Sequence, residues 1–170
     1  MSVSTSVPSL LLGIDPGLSG ALALYDPVTE ILSIWDMPVR AFTLKSGKKR
    51  REIDARRLAV LLDNECAGRD VRACIEKVGA MPGQGVTSMF TFGRAVGTVE
   101  GVLAHMGVDP VYVAPQKWQK HQGVREGGKD AHRMGAILRW GPIDYFSRKR
   151  DDGRADAALI LAWFMENLNG

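Results

Sequence analysis

Short apolar runs dominate the first third of the chain and longer periodic stretches follow, so the period of hydrophobicity changes along its length. Leu10 to Asp15, Ala21 to Tyr25 and Ile31 to Asp36 read as three strands, with Asp26-Pro27 turning the second into the third, which predicts an antiparallel meander. Arg40 to Arg51 is too polar for a core and reads as a loop. Asp54 is placed to cap a helix reaching about Ala67, with Leu58, Leu61 and Leu62 on one face and Ile53 as a hydrophobic staple. Val71 to Glu76 reads as a buried strand, and Gly79 to Gly85 as a loop. From Thr87 to Met106 the positions Phe92, Val96, Val99, Leu103 and Met106 recur at helical spacing, and Gly107 ends the pattern. Val111 to Ala114 is another strand. The Lys117 to Arg139 stretch becomes helical in its second half, and Ala155 to Leu168 forms a last helix whose Leu159, Trp163 and Phe164 can pack on a sheet.

Three strands followed by helix, strand, helix, strand and helices predict an α/β layered domain, a mixed sheet flanked by helices. The 170 residues, 45% hydrophobic and 24% charged, suit one such domain over 9–168 behind a Ser/Thr-rich lead at 1–8. Gly93, Gly97 and Gly101 fall at four-residue intervals inside the longest helix, and each costs about 1 kcal/mol against Ala. Packing on the sheet is the plain account of them; a dimer seam or a DNA backbone against the helix are the sharper ones.

The net charge of +3 is unevenly spread. Residues 1–39 hold four acids and no Lys or Arg, whereas the remainder carries all 22 basic residues against 15 acids. Such an excess suits an acidic partner such as nucleic acid, or simply a soluble basic surface. Cys66 and Cys74 lack zinc-ligand spacing and form no disulfide framework, which points to a reducing compartment and no zinc. The apolar run after the N-terminal lead is too short for a signal core or a membrane span, so a cytoplasmic protein is expected.

Two of the apolar strands end on an acid, Asp15 and Glu76. Carboxylates converging at one sheet edge repel unless a cation lies between them, which makes a divalent-metal site the first hypothesis. Asp156, at the start of the last helix, is placed to complete the cluster. Asp152, four residues earlier, would share its helical face and repel it by about 0.2–0.5 kcal/mol without a metal. Helix capping by Asp151 or Asp152 is the structural alternative. Three or four acids can seat two Mg²⁺ ions, and the reaction class such a site serves is phosphodiester hydrolysis. Lys117, Lys120 and Lys129, together with Arg133, are candidate phosphate contacts, as are Lys48, Lys49 and Arg50 in the basic stretch. Phe90, close to the glycine-rich loop, is a candidate to stack on unpaired bases, or else a core residue.

Gly13-Ile14-Asp15-Pro16-Gly17 with Ser19-Gly20, Ile75-Glu76, the Gly83-Gln84-Gly85 to Phe92-Gly93 segment, Pro115 to Lys120 with Trp118, and Asp152-Gly153-Arg154-Ala155-Asp156-Ala157 carry a resemblance in their order and spacing. From about Leu10 to Phe164 the chain resembles the RuvC-type Holliday junction resolvases, especially the branch found in phages and prophages. The resemblance implies an RNase H-like fold, a homodimer, dependence on Mg²⁺ or Mn²⁺, and paired symmetric nicks across a four-way junction in a bacterial or phage-infected cell. It carries the family's acids to Asp15, Glu76 and Asp156, and a basic residue to Lys129, with Lys120 following. The family's fourth metal-site position falls on Gly153, which leaves Asp152 as the substitute. Two coordinated cuts also call for two sites, which a two-fold dimer supplies.

Three other readings fit parts of the pattern. A metal nuclease for flaps, forks or other branched DNA would use the same acids. A junction-binding module without activity would keep the basic segments but has no need of all three acids. An actin-like or sugar-kinase ATPase shares the Asp-x-Gly opening but normally needs two related domains, and no second phosphate loop is visible.

Overall fold

The computed structural model describes residues 8–79, 83, 85–141 and 144–168. Most of the N-terminal lead, and Ala80, Met81, Pro82 and Gln84 of the expected 79–85 loop, lie outside the described residues. The meander is β1 (Leu10–Asp15), β2 (Ala21–Asp26) and β3 (Ile31–Asp36), antiparallel throughout. Strand β6 (Val71–Glu76) lies parallel to β1, and β7 (Val111–Val113) parallel to β6, giving the order β3-β2-β1-β6-β7 with β1 in the centre.

The two-residue period of β1 assigns its side chains to two cores. Leu10, Leu12 and Ile14 pack with Leu58 and Leu62 of α1 (Ala55–Cys66) and with Val99 and Leu103 of α2 (Val86–His105). Leu11 faces the opposite layer, α3 (Pro115–His121), α4 (Gly128–Trp140) and α5 (Asp152–Glu166). Helix α5 is buried nearly all round, because the sheet covers one side and α3 and α4 the other. As expected, the Asp54 carboxylate caps α1 by accepting from the Arg57 amide at 3.1 Å.

Three expectations need correction. The Arg40 to Arg51 segment is not a loop but most of a hairpin, β4 (Val39–Thr43) with β5 (Lys49–Ile53), forming a sheet of its own. A two-stranded ribbon needs no core, so its charged side chains stand in solvent while the backbone pairs, and Gly47, at φ +80°, makes the turn. Helix α2 buries Ala95, Val99, Val102 and Leu103: Val99 and Leu103 of the expected face are in the core and Met106 packs against it, but Ala95 and Val102 take the place of Phe92 and Val96. Gly93, Gly97 and Gly101 consequently face solvent, and a Cβ at any of them would meet nothing within 4 Å, which removes packing on the sheet as their explanation. Finally, α5 begins at Asp152, and the segment after Ala114 is helical from Pro115. None of the described helices is long and apolar enough to cross a membrane.

Candidate active site

The parallel pairing of β1 and β6 runs through Ile14↔Ile75, which sets Asp15 and Glu76 one step further along at the same sheet edge. Both fall on the alternation that faces α5. That helix reaches them because Gly13 has no side chain: a Cβ there would lie 2.5 Å from the Ala157 carbonyl oxygen. Its first turn closes over the β1–β2 connection in the same way, since a Cβ on Gly153 would lie 2.2 Å from the Ser19 carbonyl oxygen. Arg154 then ties the helix to the end of β3 through Asp36, at 2.5 and 2.9 Å. Asp156 is thereby brought beside Asp15 and Glu76.

The carboxylates perturb one another. Burial pushes Asp15 up to about 7, and the charges of Asp156 and Glu76 add to the effect against a hydrogen bond from the Gly17 amide. Glu76 is also raised, first by burial and then by Asp156, while the indole Nε1–H of Trp118, donating to it at 2.9 Å, works the other way. Asp156 Oδ1 lies 2.6 Å from His132 Nδ1. That contact is the main reason the imidazole is raised above its ordinary value, with Glu76 and Asp152 contributing. Trp118 meets the His132 ring edge-on at a centroid distance of 5.3 Å, so the partners of Glu76 and Asp156 support each other.

Asp151 and Asp152 take different parts. Asp151 is buried and accepts from the Arg148 amide at 2.8 Å and from its guanidinium at 2.7 Å. It holds the chain entering α5, and it does not cap the helix with its side chain. Asp152 stands at the rim of the cluster, 3.0 Å from Lys129 Nζ and 4.0 Å from Arg133 Nε. The backbone contact at Gly153 explains why no acid stands there: any side chain would strike the β1–β2 connection.

Of the expected basic contacts, Lys129 and Arg133 reach the cluster. Lys117 instead lies over the Trp163 ring, 5.2 Å from its centroid, and Trp163 is seven residues beyond Asp156, about 10 Å along the helix. Lys120 is exposed on α3. Lys48, Lys49 and Arg50 belong to the hairpin, and Phe90 is 68% exposed on α2 rather than in the core. His132 had not been singled out from the sequence. Its signal was present in the spacing of Lys129, His132 and Arg133, which puts three cationic or polar groups on one helical face.

Among the described residues no three His, Cys, Asp or Glu side chains are gathered closely enough to hold an ion as they stand. Asp15, Glu76 and Asp156 are each turned to a protein donor, Gly17, Trp118 and His132 respectively. The donor set nevertheless fits a hard divalent cation: oxygen ligands from three elements, of which Asp15 and Glu76 are raised by burial and by neighbouring negative charge that a cation would offset.

A mixed sheet with three antiparallel strands followed by parallel ones, helices on both faces and acids at the central edge defines the RNase H-like fold. Among solved structures, the chain is similar to RuvC of Thermus thermophilus in complex with Holliday junction substrate, with TM-score 0.56 and 14% identity over 93% of this chain and 96% of that one. A second Thermus thermophilus RuvC structure gives TM-score 0.56 and 15% identity over the same shares. No family model and no curated protein matches the sequence. The fold is therefore that of RuvC.

Proposed function

We propose that this protein is a metal-dependent, structure-selective endodeoxyribonuclease that resolves four-way DNA junctions by paired, symmetric cuts. The observation that carries the reading is the convergence of Asp15, Glu76 and Asp156 on a RuvC fold, with burial and like charge driving Asp15 up to about 7. Asp15, Glu76 and Asp156 would hold the metal, Mg²⁺ or Mn²⁺ and as many as two ions, with Asp152 contributing at the rim. A divalent ion held there would supply Lewis acidity at the scissile phosphate and lower the pKa of water, the chemistry that phosphodiester hydrolysis needs.

The chain's own residues do the positioning. Trp118 donates to Glu76 and His132 contacts Asp156, which keeps both carboxylates at the sheet edge. Lys129 and Arg133 neutralise Asp152 and offer positive charge to the phosphate on the open side. Lys117, Lys120, Lys48, Lys49 and Arg50 serve as more distant, sequence-independent phosphate contacts, and Phe90 as an exposed stacking surface. The protein acts as a homodimer, because one site makes one cut. Its seam is the solvent-facing side of α2, where Gly93 and Gly97 border a shallow apolar groove with Met89, Phe92 and Val96. A Gly97→Leu variant that remains folded, dimeric and fully active refutes that seam.

The test compares a labelled four-way junction with a fork and a linear duplex, in Mg²⁺ and in EDTA, for wild type and Asp15→Asn. Paired nicks confined to the junction and to Mg²⁺, lost in the variant while binding persists, are expected. Equal cleavage of forks would redirect the reading to branched DNA in general, and binding without cleavage in either metal would leave a junction-binding module.

A further inference from the structure

A second concave feature lies outside the acid cluster. It is a groove of about 600 Å³ between the β4–β5 hairpin and the first half of α2. Five arginines line it, Arg40, Arg50, Arg51, Arg56 and Arg94, against two acids, Glu52 and Asp54. Both acids are already engaged. Asp54 caps α1, and Glu52 bridges Arg40 at 2.7 Å on the hairpin and Arg94 at 2.9 Å on α2, which fixes the separation of the two walls. The groove thus keeps a positive excess that no described acid neutralises.

Two further observations specify what the groove takes. Phe42 from the hairpin and Phe90 from α2 both line it and both stand in solvent, Phe90 at 68% exposure. Cations alone would suffice for the backbone of a duplex. Cations interleaved with exposed aromatic rings suit a strand whose bases are unpaired and have open faces. In addition, the groove adjoins the acid cluster. Leu18 belongs to its wall, three residues beyond Asp15, and Arg51 donates to the Leu18 carbonyl oxygen at 3.3 Å.

We propose that this groove is a binding site for single-stranded DNA, receiving the strand that leaves the acid cluster, with phosphates on Arg50 and Arg56 and a base against Phe90. It rests on the nuclease reading only for the identity of that strand; the groove's affinity for unpaired polynucleotide is a separate claim.

The test uses the full chain in an Asp15→Asn background, so that no substrate is cut, and follows fluorescence anisotropy of labelled oligothymidylate beside a duplex of equal length. Phe90→Ala should weaken oligothymidylate binding by about fivefold to a hundredfold, the range for loss of one stacked base, and leave duplex binding unchanged. Arg50→Ala with Arg56→Ala should lower the slope of log affinity against log salt by about 1.4, since each single-strand phosphate contact contributes about 0.7. All three side chains lie at the surface, and an unchanged melting temperature confirms that the variants are folded. Unaltered affinity and slope overturn the proposal. So does an equal loss for duplex, which makes the groove a surface for a paired arm, and so does a change of oligomeric state, which makes it a subunit contact. Should the wild type cleave no junction while the groove variants still lose oligothymidylate, the nuclease reading fails and the groove stands.

Discussion

Replacing Asp15 by Asn should stabilise the metal-free protein, an unusual expectation for a residue at the centre of a site. Asp15 ionises at about 7 in the fold against an ordinary 3.8, because it is buried and faces Asp156 and Glu76. Its folded value lies above its unfolded one, so the folded state holds the proton more tightly. The ionised form therefore costs nothing near pH 4 and progressively more as the pH rises, reaching its full cost above about pH 7. The difference corresponds to roughly 4 kcal/mol. Asparagine is isosteric, can still accept from the Gly17 amide, and never ionises. Urea unfolding in EDTA at about pH 8 should give Asp15→Asn a gain of up to about 4 kcal/mol, or about 8–16 °C in melting temperature for a chain of this size. The gain should vanish near pH 4. It should shrink or reverse in Mg²⁺, because a cation bound only to the folded wild type stabilises it by mass action. A variant no more stable than wild type at pH 8 in EDTA, or a gain independent of pH, would refute the idea that burial and like charge make the ionised Asp15 costly until a cation binds.

Asp151→Ala should cost about 1–3 kcal/mol by removing the acceptor of the Arg148 amide and guanidinium, whereas Asp152→Ala should leave stability nearly unchanged and lose cleavage; chemical denaturation and a junction assay on both variants decide which acid serves the site. Trp118→Phe removes the only described hydrogen-bond donor to Glu76, so unfolding should cost about 1–3 kcal/mol less in addition to any packing loss, and a smaller change would mean the carboxylate finds another partner. His132 is raised above 6.5 by Asp156, so its ion pair stabilises the fold fully below that value and is lost as pH rises through the raised one. An NMR titration of the ring should show the raised value in EDTA and a fall on adding Mg²⁺; an ordinary value in EDTA contradicts the contact. Gly153→Ala would drive a methyl group into the Ser19 carbonyl, and loss of both stability and cleavage is expected, while a wild-type melting temperature would show that the first turn of α5 can retreat.

Local patterns carried much of this protein. Alternation and run length gave the meander and the strand ending on Glu76, the Asp54 cap gave α1, and the end points of two strands gave Asp15 and Glu76 without any tertiary information. These features depend on residues a few positions apart, where period and backbone preference act directly. Charged segments misled, because an exposed ribbon and a loop have the same polar composition and only backbone pairing separates them. On α2 the period located Val99 and Leu103 but not Ala95 and Val102, because several of its faces are apolar and only the neighbours decide which is buried.

Tertiary structure alone brought Asp156 to Asp15 across 141 residues, and it did so by removing side chains at Gly13 and Gly153 so that a helix could touch a strand. It alone set His132 on Asp156 and Trp118 on Glu76, because such contacts follow from how α3 and α4 cross α5 and not from spacing in the chain. The kinds of group needed at the sheet edge are written locally in the sequence. Their distances, and hence the burial and the repulsion that raise Asp15, exist only once the layers have packed.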